Sequence, residues 1–115
     1  MILSVEEMIK QYVAAWNNNG PEEFKAAFAP VWAADAIYTD PDYALVKGVD
    51  GIAGLAQISL EHVPTRTFHV LTQPEHHNNV GRYTWKVILP EETKQGFDYF
   101  EFNEAHQITR IVSFF

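Results

Sequence analysis

Apolar side chains at Val5, Met8, Ile9, Tyr12, Val13 and Trp16 recur at the spacing of one helical face. Ser4 and Glu7 stand at capping-box separation ahead of it, and Leu3 and Met8 are placed to staple the entry. Asn17, Asn18, Asn19 and Gly20 stop the helix, with Gly20 read as its left-handed residue. Pro21 suits the first position of a second helix, and Glu22 and Glu23 suit its positive end. Phe24, Ala27 and Phe28 form its stripe, and Pro30 ends it. A short strand follows at 36–39, then the turn Asp40-Pro41-Asp42. Gly48 opens a third helix, carried by Ile52, Leu55, Ala56, Ser59, Leu60 and Val63 and closed by Pro64.

Beyond Pro64 the apolar period changes from that of a helix to that of a strand. Segments 65–72, 80–89, 96–102 and 107–115 read as four strands rich in Val, Ile, Thr and aromatics. Their polar connections at 73–79, 90–95 and 103–106 are short enough for antiparallel hairpins. Three helices followed by a run of strands predict an α+β fold. A curved antiparallel sheet would pack on the N-terminal helices and form a cone with an apolar mouth.

Composition narrows the function classes. The 115 residues fit one domain, 1–115. Eight Lys and Arg against fifteen Asp and Glu leave a net charge of −7, which argues against nucleic acid and anionic membrane as partners. The absence of cysteine excludes disulfides, thiol catalysis and zinc–thiolate sites. No apolar run is long enough to span a bilayer, and residues 1–8 lack the basic start of a signal peptide. These absences point to the cytoplasm. Sixteen aromatics in the chain suit a dense core or an apolar pocket.

Three polar groups interrupt apolar patterns. Strand parity puts Asp98 on the face of Phe100 and Phe102, with Phe97, Tyr99 and Glu101 opposite. Asp98 is therefore either at an open edge or inside an apolar cavity. Inside, desolvation would raise its pKa and favour a neutral acid, able to donate a hydrogen bond at pH 7. Tyr12 lies on the apolar stripe of the first helix and needs a partner for its hydroxyl, in the core or in a site. Asp40 ends a strand before Pro41; it can form the turn or serve as a general base beside a cavity. His76 and His77 are adjacent and point apart on an extended chain, while His62, His69 and His106 are scattered, so no metal site is expected.

Taken in order, these pieces resemble the nuclear transport factor 2-like superfamily, and within it the ketosteroid isomerases and SnoaL-like polyketide cyclases. The resemblance rests on Tyr12-Val13-Ala14-Ala15-Trp16-Asn17, Thr39-Asp40-Pro41, Gly48 and Asp98-Tyr99-Phe100-Glu101-Phe102-Asn103. It implies a cystatin-like cone and an enzyme that enolises a small hydrophobic carbonyl compound without cofactor. Asp40 would be the base, and Tyr12 and neutral Asp98 would hold the enolate oxygen, the arrangement for which ketosteroid isomerase is the standard worked case. Trp16, Phe28, Tyr38, Trp85, Phe100 and Phe102 would line the substrate pocket, and Trp32 would help to narrow it. A homodimer through the sheet face is also implied. A non-catalytic ligand-binding or dimerisation module of the same fold is the alternative reading. An epoxide hydrolase would need an arginine between two aspartates, for which Arg82 and Arg110 are the candidates.

Overall fold

The computed structural model describes residues 2–115. Helix α1, Val5–Ala15, is followed by α2, Pro21–Phe28, and by a long strand β1, Trp32–Asp40. Strand β2, Tyr43–Lys47, leads into α3, Gly48–His62. Five more strands complete the chain: β3 Thr67–Val70, β4 Glu75–His77, β5 Val80–Ile88, β6 Thr93–Phe102 and β7 Ile108–Phe114. The strands form one curved sheet in the order β2-β1-β7-β6-β5-β3, with β4 also paired to β5.

The helices form for the reasons that the sequence supplies. Ser4 Oγ accepts the Glu7 amide at 3.1 Å and caps α1. Asn17 then acts as a side-chain strand edge. Its amide donates to Phe68 O at 2.9 Å and accepts the Phe68 N–H at 2.8 Å, tying the end of α1 to β3. Gly20 has a φ of 177°, which is extended backbone, so it is the N-terminal cap of α2 and not a left-handed stop. Gly48 carries the left-handed turn instead, with φ at 74°, and its carbonyl accepts the Trp32 indole N–H at 3.1 Å.

The α+β architecture is the expected one, with three differences. The strand expected at 36–39 begins four residues earlier, at Trp32, and returns through β2. Only Val46 in β2 escapes full exposure, so an edge hairpin with little burial left no apolar alternation to detect. Strand β4 lies within the predicted loop 73–79 and is equally exposed. Finally, β1 pairs with β7 in parallel, so the sheet is mixed. The remaining strand pairs are antiparallel.

One apolar cluster fills the space between the helices and the concave face of the sheet. Met8, Ile9, Phe24, Phe28, Ile52, Ala56, Phe100, Ile108 and Ile111 are sealed within it. Glycine permits two close approaches in the sheet. A Cβ at Gly81 would collide with the Phe100 ring, and one at Gly96 would collide with the Trp85 indole. Both glycines face these aromatics across the β5–β6 ladder.

Candidate active site

The register of three strands assembles the centre of the site. Tyr83 on β5, Asp98 on β6 and Ser113 on β7 are direct cross-strand neighbours, and all three are buried. Trp85 lies two residues from Tyr83 and therefore on the same face. It folds over Gly96, and its indole N–H reaches Asp98 Oδ1 at 2.9 Å. The Tyr83 hydroxyl donates to Asp98 Oδ2. Of the two places that parity left open for Asp98, an edge or a cavity, the structure shows the second, with only 4% of its surface accessible.

Desolvation pushes the Asp98 carboxyl up to about 6, against the pull of Ser113, Tyr83 and Trp85 as donors, with the Asp40 charge adding to the rise. The direction matches the expectation. A carboxyl at about 6 exchanges its proton close to neutral pH, well above the 3.8 of an ordinary aspartate. Tyr83 and Trp85 donate to Asp98 in this arrangement, which favours the charged form against the pull of burial. Each of the two bonds one carboxylate oxygen.

The helices and the first hairpin bring up the rest. Asp98, Tyr12 and Asp40 line one cavity of about 800 Å³. Burial, then the Asp98 charge, drive the Tyr12 hydroxyl well above its ordinary pKa, so it stays protonated and able to donate. Its ring stacks on Trp32 at 5.5 Å between centroids. Asp40 is half-buried at the rim and is engaged by its own hairpin. Oδ1 accepts the Asp42 and Tyr43 amides at 2.8 and 2.9 Å, and Oδ2 accepts the Tyr38 hydroxyl at 2.7 Å. Asp40 thus forms the turn, and it also lines the cavity.

Trp16, Tyr38 and Trp85 line the cavity as expected. Phe28, Phe100 and Phe102 do not. Phe28 is sealed behind Tyr12 and Trp16, at 5.9 and 5.8 Å between ring centroids. Phe100 fills the space above Gly81, and Phe102 packs on His76 and His106 at the far end of the sheet. These side chains share the Asp98 face, but the curvature of the sheet places them under α1. Trp32 likewise supports Tyr12 from behind. Parity assigns a face and not a position along it.

The sequence reading missed Arg66. This arginine is 4% exposed and lines the cavity. Its parity with Phe68 and Val70, which both pack on the core, was the available signal. Arg82 and Arg110 instead pair with Glu75 and Glu101 away from the cavity. His69 faces outward, and His76 bonds Glu6 at 3.2 Å.

Comparison with known proteins agrees with the fold. No protein-family model matches the chain, and no curated protein does. Solved structures do. A SnoaL-like family protein of Agrobacterium tumefaciens str. C58, named as a presumed isomerase, has a TM-score of 0.85 and 26% identity, with 97% of each chain covered. A presumed polyketide cyclase of Sinorhizobium meliloti has a TM-score of 0.71 and 16% identity, with 93% of each chain covered. A protein of Catenulispora acidiphila DSM 44928 with a ketosteroid isomerase-like fold, in complex with trimethylamine, has a TM-score of 0.77 and 14% identity; 97% of this chain and 87% of that one are covered. The fold of this chain is that of the SnoaL-like and ketosteroid isomerase-like structures. Among the described residues, no helix is long and apolar enough to cross a membrane.

Proposed function

We propose that the cavity enolises a small hydrophobic carbonyl compound, as an isomerase or a cyclase of the SnoaL-like type. The observation that carries this reading is Asp98: an inward carboxylate, 4% exposed, titrating at about 6 inside an aromatic cavity. Such a group is ionised at neutral pH yet far more basic than a solvated aspartate, which is what proton abstraction from carbon needs. In this reading Asp98 takes the proton from the carbon next to the carbonyl. The Tyr12 hydroxyl donates to the oxygen on which negative charge develops. Reprotonation at another carbon gives isomerisation, and attack of the enolate on a second carbonyl gives cyclisation. Asp40 orients the Tyr38 hydroxyl at the cavity mouth.

The expectation from resemblance has the opposite division of labour, with Asp40 as base and Asp98 as neutral donor. The pH profile separates the two. If Asp98 is the base, kcat/KM on β,γ-unsaturated ketones rises through an apparent pKa of about 6. If Asp98 must be protonated, kcat/KM falls through the same value. The conjugated enone product gives the absorbance readout. A flat profile across that range, with turnover present, overturns a titrating role for Asp98 in either form.

A pair of copies is also proposed, through the convex face of the sheet. Phe97 and Phe114 sit together there at 6.2 Å between ring centroids and are 37% and 55% exposed. Sedimentation of the protein beside Phe114→Ser tests it; a monomer at micromolar concentration in the unaltered protein rules the pair out.

A further inference from the structure

Arg66 is a buried cation without a carboxylate partner among the described residues. Its Nε donates to Ser59 Oγ at 3.0 Å. Its Nη2 donates to Trp16 O at 2.9 Å and to Ala56 O at 3.3 Å. The first of these carbonyls is at the end of α1, which Trp16 caps and whose last turn has no basic residue; Ala56 and Ser59 lie within α3. The Nε and Nη2 bonds use three of the five guanidinium N–H groups. The two on Nη1 have no protein acceptor among the described residues. Arg66 lines the cavity, and Nη1 is not among the sealed, unpartnered polar atoms of the described residues.

Burial draws the Arg66 pKa down. Among the described residues Arg66 bonds neither carboxylate of the cavity; Asp40 and Asp98 have other partners. Between Arg66 and Asp98 runs an aromatic wall. The guanidinium lies 5.3 Å from the Phe68 centroid, Phe68 is 5.8 Å from Trp85, and Trp85 bonds Asp98. The remaining lining charges are Asp42, Lys94 and His62, all exposed to solvent.

We propose that Arg66 is an anion-binding subsite and that the ligand is an apolar monocarboxylate. Its carboxylate meets the free Nη1 edge, its body lies along Phe68 and Trp85, and its far end reaches Asp98. Carried to the reaction proposed above, and resting on it, this makes the substrate a keto acid whose carbonyl is remote from its carboxylate. The cation sits where a solvated counter-ion is excluded, so an anionic ligand gains a charge-assisted bond that a neutral one does not.

Binding tests the subsite without turnover. The probes are 4-phenylbutanoate, 4-phenylbutan-1-ol and 4-phenylbutylamine, followed by quenching of the tryptophan fluorescence of the intact protein. The carboxylate should bind about tenfold or more tighter than the alcohol. Arg66→Gln should erase that preference, and Arg66→Lys should retain part of it. Equal affinity of acid and alcohol for the unaltered protein, or tightest binding of the amine, overturns the proposal even if Arg66→Gln fails to fold. A preference that persists in a folded Arg66→Gln variant overturns it as well. Carboxylate preference without enolisation of any ketone or keto acid would leave the subsite standing and remove the proposed reaction. Enolisation without carboxylate preference would do the reverse.

Discussion

Asp98 and Asp40 line one cavity, and the protein holds them in different ways. Asp98 sits mid-sheet, and its partners are side chains of the two strands beside it: Tyr83 and Trp85 on β5 and Ser113 on β7. Asp40 sits at a strand end, and two of its three partners are backbone amides of its own turn. The first arrangement removes water from a carboxylate and leaves it part of its basicity. The second uses the carboxylate to build a hairpin. Two acids in one pocket are thus differentiated by local structure: one is tuned, the other is anchored.

The strongest break in this comparison is turnover. Asp98→Asn keeps the shape of the side chain and removes the base. It should lower kcat by about 10²–10⁴. Asp40→Asn keeps an oxygen for the turn amides and weakens only the grip on Tyr38. It should cost about tenfold or less, a range we assign to a positioning residue and not to a base. Equal losses from the two variants would erase the distinction. A larger loss at Asp40 would restore the division of labour implied by resemblance.

Stability against pH gives the next effect. Asp98 titrates at about 6 in the folded chain against 3.8 for an ordinary aspartate. The folded state therefore binds the proton more tightly than the unfolded state does. Its stabilising contribution is complete below about pH 4 and is lost as pH rises through about 6. The loss is about 3 kcal/mol across that interval, taking the shift at face value. Thermal unfolding of the parent and of Asp98→Asn between those limits should show the difference in Tm shifting in favour of the variant as pH rises. Parallel curves would mean that Asp98 is not desolvated. Asp98→Leu is a poorer probe. It would strand the buried Tyr83 hydroxyl and the Trp85 indole N–H, and each stranded group costs about 1–3 kcal/mol.

The same contrast explains what was readable in the chain. Helix α1, with its cap at Ser4 and its stripe ending at Trp16, was legible because capping and periodicity are local. The inward Asp98 was legible because strand parity is local. Its donors were not, since Tyr83 and Ser113 meet it only through the register of β5 and β7. Phe100 and Phe102 were misplaced for a related reason: curvature decides how far along a face the cavity extends. Arg66 was hidden by habit, because a charged residue beside a proline-closed helix reads as solvated. Its burial depends on two carbonyls on α1 and α3, and no sequence window contains both.

The smallest effect concerns the tuning itself. Trp85 can reach Asp98 because Gly96 offers no Cβ, and its indole fills the space that a methyl group would occupy. Gly96→Ala must push the indole off that position or bend β6. Overpacking of this kind costs about 1–3 kcal/mol. The more telling result is the titration of Asp98. Trp85 pulls its pKa down by donating to the carboxylate, so losing that bond while the apolar surroundings remain should move the midpoint above about 6. Carbonyl or side-chain carboxyl NMR of Asp98 in the two proteins measures it directly. An unchanged midpoint would mean that Trp85 merely walls the cavity. A lower midpoint would mean that the displaced indole lets water in, and that the dryness of the Asp98 site depends on one glycine across the ladder.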